Sequence, residues 1–296
     1  MGVGRRKRAA GRAAAIALGV LGLTAFAAGP AAAWSDLGHR AIAELAYGRL
    51  TPQAKAKVDG LIAASGASGE SSCPVASLAD AATYLSCVED IGKYSAYRRL
   101  HYDAIPFCGP PPPKPQYCRK NQCASEALKQ ALGVLRDPQT PAAGQLLALE
   151  EVAHLVGDLH QPLNMIDNDD DHGERIRVSL PGSSEKRLNL HDAWDQTFVA
   201  VAVGSLSTGL PYLEPLARAG ARNWSQGTVD DWALETHRTA VEVIYNRLPE
   251  PPQCNRNPKA PEILDRAYVS TATPLVREQL AKAGVRLALV LNDVLR

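Results

Sequence analysis

The sequence predicts an all-α fold with one small β-hairpin. Helical periodicity dominates, only one stretch alternates as strands do, and beyond residue 33 there is no internal repeat and no linker long enough to divide the chain. Helical patterns run from Asp36 to Leu50, then from a Thr51-Pro52 start to Ala64, where a hydroxyl cap precedes a proline suited to the first turn. Further helices are expected over Ala76–Tyr94, Ser125–Arg136, Pro141–Leu159, Leu190–Val203, Tyr212–Ala221 and Asp230–Arg247. A last one is expected over Ala260–Leu295, interrupted near Thr273-Pro274 because proline lacks the amide that a helix interior uses. The strand-like stretch is Arg175–Leu180, followed by Pro181-Gly182-Ser183-Ser184 and then Lys186–Leu190, which reads as a hairpin.

The chain has 296 residues, 46% hydrophobic and 21% charged, a globular composition that excludes a disordered or collagen-like protein. Its 32 basic and 31 acidic residues are unevenly spread. Residues 1–33 hold Arg5, Arg6, Lys7, Arg8 and Arg12 and no acid, so the remainder carries a net charge of −4. That balance argues against tight duplex binding through a large basic surface, while leaving a nucleic acid possible as a substrate held by metal ions. The basic cluster, the apolar run Ala13–Ala28 and the small residues Ala31-Ala32-Ala33 read as an export signal, with a mature chain beginning at Trp34. The run is short and diluted for a spanning helix. The remaining 263 residues are expected to form one domain in a secreted or periplasmic protein.

All six cysteines lie beyond the export segment, and an even number in an oxidising compartment points to three disulfides. Cys118 and Cys123 close a small loop after Pro110–Pro113, and Cys73–Cys87 with Cys108–Cys254 follow as the least strained remainder. Structural zinc on cysteine is disfavoured, since no Cys-x-x-Cys occurs.

Two of the seven histidines stand four residues before an aspartate on an expected helix, His154 with Asp158 and His191 with Asp195. A helix turns in 3.6 residues, so each pair projects from one face and offers imidazole and carboxylate together, a donor set suited to zinc. The stretch Trp34-Ser35-Asp36-Leu37-Gly38-His39 adds a histidine near an α-amine that cleavage would expose. Such an amine loses its proton near neutral pH and can then ligate.

Taken in order, these motifs resemble the secreted zinc-dependent nucleases of fungi, plants and bacteria that degrade single-stranded nucleic acids, the type named after nucleases S-one and P-one. The resemblance runs from Trp34-x-x-x-Gly38-His39 through Ala76–Asp80, Leu100-His101-Tyr102, His154–Leu163, Arg175–Val178, Asn189–Asp195 and Trp232–Thr236. It implies a mostly helical phospholipase C/nuclease-type fold with ions at the bottom of a cleft. It further implies two to three zinc ions: one on residues matching Asp80, His101, His154 and Asp158, one on Trp34, His39 and the shared Asp158, and one on His191, Asp195 and a further histidine. Asp80 would orient or deprotonate the attacking water, and Tyr102 would stack a substrate base.

Three positions depart from that pattern. Asn164 stands where the third zinc takes a histidine, Thr83 where an arginine often faces the phosphate, and Ala104 where Asp or Asn is common, with Asp103 one place early. His172 is the better substitute ligand, although its acidic loop, Asp167–Asp171, is expected to be solvated; His160, His237 and Trp224 read as packing residues. The expected activity is hydrolysis of single-stranded RNA, DNA or 3′-nucleotides to 5′-phosphorylated products by a monomer without stable membrane association. A zinc phospholipase C is the alternative enzyme, though it has a longer spacing than the five residues from Trp34 to His39, and a non-catalytic zinc-binding descendant is the other.

Overall fold

Ala41, Ile42, Leu45 and Ala46 recur at helical spacing and bury one face of the first helix, α1 (Asp36–Tyr47). The computed structural model describes Met1 and residues 34–64, 70–89, 91–182 and 188–296. Beyond Met1, the expected export segment at residues 1–33 lies outside the described residues. The helices that follow α1 are α2 (Pro52–Ala64), α3 (Leu78–Ala81), α4 (Tyr84–Val88), α5 (Ala124–Arg136) and α6 (Ala142–Asp158). After them come α7 (Leu190–Asp192), α8 (Phe198–Val203), α9 (Leu206–Trp224), α10 (Val229–Thr239) and α11 (Arg266–Val294).

The core is built on α6 and α11. From Leu146 to Asp158, α6 is buried on nearly every side, against α1, α2, α3, α5 and α11. Helix α11 lies against α1, α8 and α9 and passes through Pro274 without the expected interruption. A proline inside a helix costs about 3 kcal/mol. Val276, Leu280, Leu287 and Leu291 are fully buried, and each such side chain contributes about 1.5–3 kcal/mol. Packing therefore outweighs the missing amide.

Other boundaries differ for local reasons. The expected helix over Ala76–Tyr94 is broken into α3, α4 and a 3-10 turn at Gly92–Arg99. Ser77 accepts the Asp80 N–H, and the Thr83 hydroxyl donates to the Asp80 carbonyl at 3.0 Å, both in competition with helix propagation. Helix α9 starts six residues before the expected Tyr212, because Ser205 and Thr208 form a reciprocal cap, and it tolerates Pro211 and Pro215. The segment Asp230–Arg247 is helical, but its second half loosens into a π turn (Ala240–Ile244) and a 3-10 turn (Tyr245–Arg247). Helix α11 begins at Arg266, where Asp265 caps the Tyr268 N–H at 2.8 Å, and not at Ala260.

The hairpin exists in part. The Val178 N–H donates to the Leu188 carbonyl and the Leu190 N–H to the Ile176 carbonyl; Ser183–Arg187 lie outside the described residues. Its other edge pairs in parallel: β1 (Val178–Ser179) is joined to β2 (Glu262–Ile263), a segment expected to be helical. The three disulfides are the expected ones, Cys73–Cys87, Cys108–Cys254 and Cys118–Cys123.

The acidic loop is not a solvated run. Asp170 is fully buried and accepts hydrogen bonds from the Tyr245 hydroxyl at 2.7 Å and the Gly173 N–H at 3.2 Å, while Asn168 is fastened to Gln253 and Asn257.

Glu150 gives the fold a pH dependence. Burial within α6, with the charge of Glu151 beside it, pushes its carboxyl up to about 8. Its folded value lies above the unfolded one, so its contribution to stability is complete below about pH 4.3 and is lost as pH rises towards 8. Glu150→Gln is expected to lose less thermal stability than the parent between pH 5 and pH 8, melting roughly 2–4 °C higher at pH 8 per kcal/mol recovered, as read by circular dichroism. Parallel melting curves at the two pH values would refute this.

Candidate metal centre

Four sequence-predicted residues converge where the start of α1 crosses the end of α6. His154 and Asp158 share a face of α6 as their spacing requires, with His154 Nε2 3.3 Å from Asp158 Oδ2. His39, one turn into α1, stacks on the His154 ring at 4.1 Å and places its Nε2 3.4 Å from Asp158 Oδ1. His101 follows the 3-10 turn and directs Nδ1 to the same carboxylate at 3.0 Å and to His154 Nε2 at 3.0 Å. All four are buried.

Two contacts orient the rings. His154 Nδ1 faces the Ala82 carbonyl at 2.8 Å, and His101 Nε2 lies 3.3 Å from the buried Glu89 carboxylate. A carboxylate or carbonyl behind an imidazole fixes its tautomer and aims the other nitrogen at a metal. Glu89 carries no signal in the sequence, because the contact joins two separate segments. Gly157 lies inside the His154–Leu163 motif, which assigns it no role. A Cβ built there would stand 2.7 Å from His39 Nδ1, so only glycine lets that ring lie against α6. A glycine inside a helix and next to a ligand candidate is the clue that could have marked it.

The electrostatics fit a cation. Burial alone would raise the Asp158 carboxyl, but His154 and His101 hold it well below the usual carboxylate range. Burial lowers His101, yet Asp158 and Glu89 outweigh this and lift it to about 9. His39 is pushed down by burial and by His154. Both nitrogens of His39 and Asp158 Oδ1 are buried without a hydrogen-bond partner. Unsatisfied buried polar atoms are costly, and imidazole and carboxylate atoms aimed at a common point are the donors of a metal site. His39, His154 and Asp158 each offer a ligand atom within 4.8 Å of the others.

His191 and Asp195 form a second pair. Asn189 caps α7, and a π turn at Ala193–Thr197 carries Asp195 round so that its Oδ2 lies 3.0 Å from His191 Nε2. The His172 carbonyl accepts from His191 Nδ1 at 2.8 Å, and the Gln161 amide donates to Asp195 Oδ1. Burial lowers His191, but Asp195 raises it to about 9. Hydrogen bonds leave His191 Nε2 and Asp195 Oδ2 unsatisfied, as they do Oδ1 of the buried Asn164, whose Nδ2 donates to the His101 carbonyl. Trp34 is fully buried against Gly38, and the Ser35 N–H donates to the Asp195 carbonyl at 3.0 Å.

Asp80 and Tyr102 sit differently from the other candidates. The Asp80 carboxylate is engaged by Arg40 at 2.7 Å and by the Ser77 hydroxyl at 2.8 Å, at the wall of a cavity next to α1. Arg40 also reaches the Thr83 hydroxyl at 3.4 Å. A guanidinium therefore stands at the Thr83 position, although Thr83 itself supplies none. Tyr102 has one ring face covered: His172 stacks on it at 4.1 Å, with the rings 13° from parallel. His172 is thus half-buried rather than solvated, with Nδ1 fixed to the Ile166 carbonyl. His160 and His237 are packing residues; His160 is held between the Val156 carbonyl and Arg286, and His237 by the Pro106 carbonyl.

The sequence profile described as S1/P1 Nuclease matches residues 34–296. Endonuclease 2 of Arabidopsis thaliana is 27% identical over 276 residues, covering 88% of this chain and 90% of that protein. Nuclease P1 of Penicillium citrinum is 25% identical over 285 residues, covering 88% of this chain and 97% of that protein. Nuclease S1 of Aspergillus oryzae is 25% identical over 281 residues, covering 86% and 89%.

Gly157→Ala is expected to displace the His39 ring and weaken metal affinity roughly 10- to 100-fold while the helical spectrum is kept. Metal competition titrations against a chromogenic chelator measure this, and parental affinity would show that the close approach is dispensable.

Proposed function

The chain belongs to the S1/P1 nuclease family, whose members hydrolyse phosphodiester bonds, and from that premise we propose an exported zinc enzyme that cleaves single-stranded RNA and DNA. The observation that carries this reading is the convergence of His39, His101 and His154 on the buried Asp158, with ligand atoms left unsatisfied. Imidazole with carboxylate favours zinc over calcium or magnesium. His101, His154, Asp158 and Asp80 would hold one ion, and His39, Asp158 and the Trp34 main chain a second. His191 and Asp195 would hold a third, with the orphaned Asn164 oxygen as the substitute for a histidine. Bound zinc supplies Lewis acidity, making water a nucleophile at neutral pH and polarising the phosphoryl oxygens.

The chain's own groups do the rest. Asp80 holds a water proton on the attacking side. Arg40 presents a forked cation to a phosphate oxygen while its other nitrogen stays on Asp80. The Tyr102–His172 pair offers a ring surface for any base, a contact worth about 1–3 kcal/mol. The products would be 5′-phosphorylated, and 3′-nucleotides would also serve as substrates. Three disulfides support export to an oxidising compartment. Among the described residues, no helix is long and apolar enough to cross a membrane.

The reading is tested on protein whose first residue is Trp34, by elemental zinc analysis and by hydrolysis of single-stranded oligonucleotides beside lecithin. Two to three zincs and turnover of the oligonucleotide alone are expected. One extra residue ahead of Trp34 turns the amine into an amide and is expected to lower zinc content by one ion and activity roughly tenfold or more. Zinc-free protein, or equal activity in both forms, would contradict the assignment. Arg40→Ala is expected to lower kcat about 100-fold, with partial recovery in Arg40→Lys, whereas unchanged kcat would remove Arg40 from the mechanism.

A further inference from the structure

Beside Tyr102 lies an open cavity of about 390 Å³, lined on one side by Arg98, Arg99 and Arg119 and on another by His172. Arg98 and Arg99 close the 3-10 turn that leads into His101, and Arg119 sits in the short loop closed by Cys118–Cys123. That loop is fastened to the metal-site segment. The Ala124 N–H donates to the Tyr102 carbonyl at 3.0 Å, and the buried Asp103 carboxylate takes the Ser125 N–H at 2.9 Å and its hydroxyl at 2.6 Å. The arginines are thus carried on backbone anchored at His101 and its neighbours.

Arg99 and Arg119 are exposed, and among the described residues neither side chain has an ion-pair or hydrogen-bond partner. The acidic groups at the cavity do not cancel them. Asp171 is paired with Arg175 at 3.5 Å, and three guanidiniums, Arg98, Arg99 and Arg119, stand at the cavity against Asp171 and Glu174. The chain beyond residue 33 is net −4, so this concentration of cations next to a site for a phosphodiester is local.

We propose that Arg99 and Arg119, with Arg98 beside them, form a phosphate track that binds the backbone of a single-stranded polynucleotide on the phosphates flanking the base stacked at Tyr102. The proposal rests on the phosphodiesterase reading and adds a second binding region to it. A single strand bends to place a base on the Tyr102–His172 pair and its flanking phosphates on the arginines. Ring stacking beside a cationic groove is how sequence-tolerant single-strand binding is achieved.

The test uses fluorescein-labelled oligothymidylate of twelve nucleotides, bound to the intact protein in excess chelator and followed by anisotropy over a salt series. The double variant Arg99→Ala with Arg119→Ala is expected to reduce the slope of log affinity against log salt by about 1.4, near 0.7 for each phosphate that an arginine no longer neutralises. Replacement of both by lysine is expected to keep the slope. With zinc restored, the double alanine variant is expected to raise KM for the twelve-nucleotide strand roughly tenfold relative to KM for bis(4-nitrophenyl) phosphate. An unchanged salt slope, or an equal rise in both KM values, would overturn the track. Failure of the parent to hydrolyse either substrate would instead count against the phosphodiesterase reading, and the chelator titration would still decide whether the arginines bind a strand.

Discussion

Asp158 is the point on which the site is built. One carboxylate is approached by imidazoles from α1, from the segment after the 3-10 turn and from its own helix, all in a region closed to water. An isolated carboxylate there would be expelled or protonated. Shared among His39, His101 and His154 it stays ionised, and the three rings are drawn to within a few ångströms of one another. The burial of α6 along almost its whole length, the crossing of α1 at Gly157 and the threading of His101 between Glu89 and Asp158 all serve that convergence.

Legibility in the sequence follows the range over which each feature acts. The His154/Asp158 and His191/Asp195 pairs could be read because a helix forces residues four apart onto one face. The ordered resemblance then joined them to His39 and His101. Glu89, Gly157 and the Arg40–Asp80 pair had no such period. Each acquires meaning from a partner tens of residues away, as Gly157 does from His39. The helices α2, α5 and α6 were legible for the same local reason, since the Thr51 cap of α2 and the apolar spacing of α5 and α6 each lie within one segment. The uninterrupted α11 was not, because burial against three other helices offsets Pro274, and no window around the proline contains that burial.

The departures from the family pattern look different in three dimensions. Thr83 removes a guanidinium, yet Arg40 reaches the Thr83 hydroxyl and the Asp80 carboxylate, so positive charge persists from another element. His172 is stacked on Tyr102, adding a second ring where one was expected. Asn164 remains the substantive change, with one amide atom committed to the His101 carbonyl and the other unsatisfied.

The turn after Asp158 faces two ways. While Asp158 gathers the imidazoles, His160 hands its Nε2 to Arg286 of α11, which with Lys282 also grips Glu235 of α10. The same few residues therefore end α6, which carries His154 and Asp158, and tie it through Arg286 to α11 and Glu235 of α10. Local fraying at that turn would take the His160 contact from Arg286 as well as open the site. A change in the packing of α11 at Arg286 is therefore transmitted to Asp158, two residues before His160, with no loop between them.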